Sequence, residues 1–357
     1  MSNKTALIMA AGTGGHIFPA LAVADALSSK GWKIVWLGTI GGMENRLVAN
    51  KGYPIVQLEM KGVRGNGIVR KLMAPAMLAK SVLQARKAIQ VHRPSLVVGF
   101  GGYVCGPGAV AAKLSGIPLV IHEQNAIAGM TNRLAAKMAK LILQAFPKAF
   151  EAASNVRTVG NPVRDAICQI QSPALRYENR QGALNLLVVG GSLGAKALNE
   201  VVPAAIALLP TEMRPRITHQ SGEKQIAELR ANYEAAGVGA EAVPFIEDMA
   251  SALAAADVVI CRAGALTVSE LAVAGVPGIY VPLPHAVDDH QTANAKSLTE
   301  NDAGWLLPQS SLNANSLAAL LQGLTREELK RRAMNARQLG LPHATDMVVV
   351  ACEEVAK

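Results

Sequence analysis

The chain has 357 residues, half of them hydrophobic and 17% charged, a composition that buries a large core and excludes a disordered polymer. That length exceeds what one core ordinarily supports, so two domains are expected. The net charge of +9 is uneven: residues 1–160 hold 19 Lys/Arg against 5 Asp/Glu, a net +14, and residues 161–357 hold 16 against 21, a net −5, which places a boundary near residue 160.

In chain order, the first half reads as strands at 5–9, 33–37, 55–59, 96–100 and 119–122, separated by helices near 18–29, 43–51, 68–91 and 106–115. From 184–189 the rhythm starts again, with strands near 215–219, 241–245, 257–261 and 278–281. Continuous apolar runs between helices describe parallel strands covered on both faces. The expected fold class is α/β, with two Rossmann-like, doubly wound parallel-sheet domains facing a cleft.

Each half places a glycine cluster after its first strand, Gly12-Thr13-Gly14-Gly15 and Gly190-Gly191-Ser192-Leu193-Gly194. Ligands bind such folds beyond the carboxyl ends of the strands, where helix N-termini offer amides to anions. A nicotinamide dehydrogenase does not fit. Its GxGxxG turn needs glycine where Ile17 stands and an acidic ribose partner about 20 residues on, where the chain has Val35-Trp36. The Gly190 loop misses that spacing too, and neither loop ends in the Lys-Ser/Thr of an ATP-type phosphate loop.

Between Glu59 and Glu123 there is no acidic residue, but there are Lys61, Arg64, Arg70, Lys71, Lys80, Arg86, Lys87, Arg93 and Lys113. The helix expected over 68–91 sets Leu72, Met73, Met77, Leu78, Val82, Leu83 and Ile89 among these basic positions, with Pro75 kinking or delaying it. A basic amphipathic helix suggests an anionic membrane surface; the alternative is a solvated face that is basic by chance. Only 4% aromatic residues and no recognition-helix motif argue against nucleic acid. The uncharged stretches 5–24 and 95–112 carry glycines and a proline, so no membrane span is expected, nor is a secretory signal. Cys105, Cys168, Cys261 and Cys352 are scattered and read as buried thiols in a reducing cytoplasm.

The segments GTGGHIFPALAVA (12–24), GGYVCGPGAVAA (101–112), IHEQNAIAGMTNR (121–133), GNPVR (160–164), GGSLGA (190–195) and CRAGALTVSELAVAGVP (261–277) together resemble the MurG family of bacterial peptidoglycan enzymes. The resemblance implies a GT-B glycosyltransferase. Its domain 1–162 would face acceptor and membrane and regain a returning helix from 341–357, while 163–340 would bind UDP-GlcNAc. The implied reaction is transfer of N-acetylglucosamine, with inversion, from UDP-GlcNAc to the muramoyl 4-hydroxyl of lipid I, giving lipid II and UDP at the cytoplasmic face of the inner membrane. No metal and no cofactor are implied, since GT-B enzymes stabilise the departing diphosphate with amide dipoles and cations. Asp288-Asp289-His290 is therefore not read as a metal site.

The same resemblance assigns residues. His16 is the leading candidate for the base that accepts the acceptor proton, because an imidazole suits that task near neutral pH. Glu123 is the rival, unless it merely orders Asn125 together with His122. Thr13, Gly14, Gly15, Gly101, Gly102 and Tyr103 would approach the acceptor diphosphate and the sugar, the glycine turn 12–15 offering its amides, with Asn125 beside them. On the donor side, Gly264, Ala265, Leu266 and Thr267 would present amides to the UDP diphosphate, with Val268 and Ser269 alongside. Gly191 and Ser192 would do the same from the other loop, and Arg164 would add charge. Glu270 would hold the ribose hydroxyls, Ile246 would flank the uracil and Gln291 would meet the sugar. A purely structural alternative exists for Thr267-Val268-Ser269-Glu270, which matches a helix capping box.

Overall fold

The computed structural model describes residues 4–60, 68–178, 180–191, 194–284 and 289–357, and of 68–74 the backbone alone. They fall into two compact units, Met1–Pro162 with Pro342–Lys357, and Val163–Leu341.

The first unit carries strands β1 (Thr5–Ala10), β2 (Lys33–Thr39), β3 (Ile55–Leu58), β4 (Leu96–Gly101), β5 (Leu119–Glu123), β6 (Leu141–Gln144) and β7 (Val156–Thr158). All pair in parallel, in the order β3-β2-β1-β4-β5-β6-β7. Its helices are α1 (Gly14–Ser29), α2 (Glu44–Ala49), α3 (Ile68–His92), α4 (Cys105–Leu114) and α5 (Met130–Ala136). Every residue of β1 and β4 is buried, because helices cover both faces, and this is why those strands read as unbroken apolar runs.

The second unit contains helices α6 (Asp165–Cys168), α7 (Pro173–Glu178), α8 (Lys196–Ala207), α9 (Ile226–Ala235), α10 (Met249–Ala255), α11 (Ala265–Ala274), α12 (His290–Thr299), α13 (Ala314–Gln322) and α14 (Arg326–Leu339). They surround strands β8 (Asn185–Val189), β9 (Arg216–Gln220), β10 (Glu241–Val243), β11 (Val258–Cys261), β12 (Gly278–Tyr280) and β13 (Gly304–Leu306), ordered β10-β9-β8-β11-β12-β13 and again parallel. Asp257, fully buried at the start of β11, is held by Arg180 at 2.6 Å and Arg326 at 3.4 Å. A charge so placed needs such partners, since burying it alone costs several kcal/mol.

The final helix α15 (Ala344–Val355) belongs to the first unit, where it packs on α1. Val348, Val349, Cys352 and Val355 share a core with Ile17, Ala20, Val23 and Leu27. Each buried valine of this face stabilises the unit by roughly 1.5–3 kcal/mol. The exposed pairs Lys30–Glu353 and Arg157–Glu354 add little by comparison.

The structure departs from the sequence expectations in particulars. Strands β6, β7 and β13, of four, three and three residues, and helix α5 were not anticipated; such short pieces carry no readable period. Helix α1 starts at Gly14 rather than near 18, because Thr13 is its extended N-cap and the glycine pair is its first turn. Pro75 does not delay α3, which runs as one element from Ile68 to His92. Lys61 and Arg64, which precede it, and the side chains of Arg70, Lys71, Leu72 and Met73 lie outside the described residues.

Candidate active site

Both sheets reverse strand order beside their first strand, between β1 and β4 and between β8 and β11. The carboxyl ends of strands at such a switch point are where open α/β sheets bind ligands, and the motif residues gather there within each unit.

In the first unit, the turn after β1 is shaped by a buried carboxylate. Glu44 accepts from the Thr39 amide and hydroxyl at 2.7 Å each through Oε1, and Oε2 reaches the Gly12 amide at 3.4 Å. The Gly12 amide is thus engaged by Glu44, which corrects the expectation that the whole turn 12–15 offers amides to an acceptor. The α1 N-terminus at Gly14 and Gly15, with exposed Thr13 as its N-cap, remains on the surface side.

The bare backbone after β4 has a steric cause. A Cβ on Gly101, at φ +112°, would fall 2.8 Å from His16 Cε1 and Nδ1, and one on Gly102, at φ +83°, would fall 2.2 Å from the Ala11 carbonyl oxygen. Only glycine fits both positions. Tyr103 beside them is 46% exposed.

The β5 end separates the two candidate bases. Glu123 is 1% exposed. Its Oε1 accepts from the Asn125 amide at 2.9 Å and Asn125 Nδ2 at 3.2 Å, and its Oε2 from the Gly129 amide at 3.1 Å and Asn132 Nδ2 at 2.9 Å. Four donors occupy this carboxylate, so its work is to fold the turn leading to α5, with Asn125 as part of that turn. His122 is not Glu123's partner; its Nε2 meets the Gly160 carbonyl at 2.9 Å and its Nδ1 meets Gln124 Nε2 at 3.0 Å. Partly buried His16 approaches Gln124 Oε1 through Nδ1 at 2.8 Å.

In the second unit, the capping-box alternative fails. The N-cap of α11 is Gly264 (φ −61°, ψ 142°) with no side-chain cap; Thr267 is already inside the first turn and Glu270 lies on the second. Gly264, Ala265, Leu266 and Thr267 thus form a helix N-terminus, whose dipole favours an anion. Val268 is corrected as a direct contact, because its amide bonds the Gly264 carbonyl and its side chain is fully buried. Ser269 follows it on the same helix.

Glu270 is 8% exposed, and its Oε1 accepts no hydrogen bond among the described residues. Arg164, the N-cap of α6, brings Nη2 to 3.3 Å from that oxygen. Burial pushes the Glu270 pKa up, and Arg164 opposes the shift.

Ser192 lies outside the described residues. A Cβ added to Gly191, at φ +82°, would meet nothing within 4 Å among the described residues, whereas one added to Gly194, at φ +78°, would collide with the Ser221 carbonyl oxygen. Gln220, at the end of β9, donates to the Gly191 carbonyl and accepts from the Ile246 amide, both at 3.1 Å. Ile246 is 8% exposed, with its amide committed. A cavity of about 650 Å³ joins Gly191, Arg262, Leu283, Gln291 and Gln309. Gln291 accepts from the Leu283 amide at 2.8 Å, and Arg262 holds the Val281 and Pro282 carbonyls and Gln309. Asp288 lies outside the described residues; Asp289 accepts from the Thr292 hydroxyl at 2.8 Å.

Gln124, Gln220, Arg262 and Glu44 were missed by sequence reasoning. The first three follow or end strands at the ligand-facing edge, and that position is the signal that would have found them.

Two α/β units with ligand-ready strand ends fit a sugar-nucleotide enzyme, and comparison with known proteins makes the class explicit. Residues 6–144 match the glycosyltransferase family 28 N-terminal domain and residues 185–348 its C-terminal domain. The chain is 54% identical, over 98% of both sequences, to the UDP-N-acetylglucosamine--N-acetylmuramyl-(pentapeptide) pyrophosphoryl-undecaprenol N-acetylglucosamine transferase of Neisseria gonorrhoeae. It is 52% identical, over 99% of both, to the enzyme of that name from Azoarcus sp.. Its structure matches Acinetobacter baumannii MurG with a TM-score of 0.88 at 46% identity, covering 98% of this chain and 99% of that one. The chain belongs to the MurG family of GT-B glycosyltransferases.

Proposed function

We propose that the chain transfers N-acetylglucosamine from UDP-N-acetylglucosamine to the muramoyl 4-hydroxyl of lipid I, with inversion, releasing UDP and lipid II. The observation that carries this reading is Glu270, a buried carboxylate whose Oε1 is met, among the described residues, by the Arg164 guanidinium alone and which stands behind a helix N-terminus without a side-chain cap, in a chain 54% identical along its length to transferases named for this reaction. A carboxylate with acceptor capacity to spare suits a ribose hydroxyl.

The roles divide by unit. In the second, the α11 N-terminus and Arg164 meet the diphosphate, with Gly191 and Ser192 supporting from the other loop. Ile246 flanks the uracil, and Gln291 reaches the sugar from the cavity wall. In the first, the α1 N-terminus at Thr13, Gly14 and Gly15, with Gly101, Gly102 and Tyr103, takes the acceptor. His16 is the base, since the lone pairs of Glu123 are committed to its own turn. As the acceptor oxygen bonds to the anomeric carbon, the bond from that carbon to the diphosphate oxygen breaks and its electron pair leaves with UDP. The charge growing there is stabilised by the helix dipole and the guanidinium.

The first unit also suits an anionic membrane surface at the inner-membrane face. Helix α3 exposes Leu78 (43%), Leu83 (65%) and Val91 (66%) among exposed Lys80, Arg86 and Lys87. A separate cavity of about 720 Å³ is walled by Lys113, Lys137, Lys140 and Lys357. No helix among the described residues is long and apolar enough to cross a membrane, so attachment would be peripheral.

The test is product analysis. Incubation with UDP-GlcNAc and a lipid I analogue should add one N-acetylhexosamine to the acceptor mass, joined by the inverted linkage. An acceptor that emerges unmodified contradicts the reading.

A further inference from the structure

The proton positions around His16 follow one from another, starting from a group that has no choice. The Gly160 carbonyl can only accept, and it lies 2.9 Å from His122 Nε2, so that nitrogen carries a proton. His122 is fully buried, and burial pulls its pKa down to about 4. At neutral pH its ring is uncharged and Nδ1 is a bare acceptor.

One terminal atom of the Gln124 amide faces that Nδ1 at 3.0 Å and the His122 carbonyl at 2.9 Å. Two acceptors meet it, so it is the NH2 group, and the two contacts use both its protons. The other terminal atom is then the oxygen, and it lies 2.8 Å from His16 Nδ1. An amide oxygen can only accept, so His16 Nδ1 is the donor. The backbone beneath is held as well, by Asn161 Nδ2 donating to the Gln124 carbonyl at 3.0 Å.

We propose that His122 and Gln124 are positioning residues that hold His16 with its proton on Nδ1, leaving Nε2 bare to take the proton of the acceptor hydroxyl. This rests on the reading of His16 as the base. The neutral imidazole of a free histidine favours the proton on Nε2, so the chain of bonds acts against the intrinsic preference. During transfer the hydroxyl proton moves to Nε2, the oxygen bonds to the anomeric carbon, and the diphosphate leaves with the electron pair of the broken bond. The imidazolium formed keeps Nδ1–H on Gln124. An amide thus orients this base where many hydrolases use a carboxylate, and the nearby carboxylate of Glu123 is spent on Asn125, Gly129 and Asn132. Bare Gly101 admits the ring.

Long-range 1H–15N spectra of the uniformly labelled full-length chain at pH 8 read both ring nitrogens of each histidine, with His16 assigned by its loss in His16→Gln. The expected wild-type result is a protonated Nδ1 and a bare Nε2 for His16. In Gln124→Leu, His16 should move toward the Nε2–H form and kcat should fall roughly 10²-fold with UDP affinity unchanged. Gln124→Glu, which keeps an oxygen facing His16, should retain the Nδ1–H form. A wild-type His16 carrying its proton on Nε2 overturns the proposal without any variant having to fold, as does a folded Gln124→Leu protein with the wild-type tautomer. If the predicted tautomer is seen but His16→Gln turns over at the wild-type rate, the hydrogen-bond chain stands and the base assignment fails.

Discussion

Arg164 Nη2 stands 3.3 Å from Glu270 Oε1, and among the described residues that guanidinium is the one group that meets this oxygen, although Glu270 is 8% exposed. The second unit thus keeps a carboxylate out of water with incomplete compensation. A group held in this way stabilises a ligand more than it stabilises the fold.

Glu270→Ala should therefore weaken UDP binding by roughly 10- to 100-fold, the equivalent of one hydrogen bond to a charged group, while leaving the protein at least as resistant to unfolding. The burial-raised pKa gives the sign. The folded state holds this proton more tightly than the unfolded chain, so the stability penalty of Glu270 shrinks as pH falls through its folded pKa. Calorimetric titration with UDP, together with urea unfolding of both proteins, checks this; unchanged UDP affinity with lower stability would make Glu270 a structural residue.

Buried histidines set the opposite trend in acid. Burial lowers His122 to about 4 and His219 to about 3, from 6.5. The unfolded chain takes up these protons first, so each unit loses up to about 1.4 kcal/mol per pH unit from its histidine below 6.5. The loss ends near pH 4 in the first unit and near pH 3 in the second. Unfolding free energies at pH 7.5 and pH 5.0 should fall less steeply in His122→Gln and His219→Gln than in the parent. Equal slopes would mean that neither ring is held neutral.

Two glycines with positive φ should respond differently to alanine. At Gly101 the new Cβ meets the His16 ring at 2.8 Å, while at Gly116, φ +68°, it meets nothing within 4 Å. Both changes carry backbone strain of about 1 kcal/mol, but only Gly101→Ala should also lower kcat, by more than 10-fold, because it displaces the imidazole. Steady-state kinetics beside thermal melts separates the two effects. Full activity in Gly101→Ala would show that the ring position is not critical.

Membrane attachment should depend on the outward face of α3. The double change Leu83→Glu, Arg86→Glu removes apolar area and reverses one charge at exposed positions, with each basic residue worth about 1 kcal/mol near anionic lipid. Cosedimentation with phosphatidylglycerol vesicles should drop at least 5-fold, while turnover on a short-chain soluble acceptor stays at the parent level. Undiminished cosedimentation would place the contact elsewhere.

What the sequence disclosed, and what it hid, follows from the range of the interactions. The strands β1 and β4 were legible because burial on both faces leaves an apolar run, and the glycine turns because nothing else fits φ values such as those of Gly101 and Gly191. Glu270 was singled out through the motif that resembles the family, while its burial beside Arg164 shows only in the fold. Its neighbours were harder, since Thr267 and Glu270 have the spacing of a capping box and only the backbone angles of Gly264 reveal where the helix begins. Gln124 was hidden because its partner His16 is 108 residues away, and Gln220 because its two partners come from separate loops. Glu44 likewise acts on Gly12 across 32 positions. No local pattern encodes such pairings.

The central claim is that a sugar leaves UDP only to join a lipid-linked acceptor. Its most direct test is the rate of UDP release from UDP-GlcNAc with and without a lipid I analogue. The account predicts release that depends on the acceptor and saturates with it, one UDP per acceptor consumed. Equal release in the absence of acceptor would contradict it.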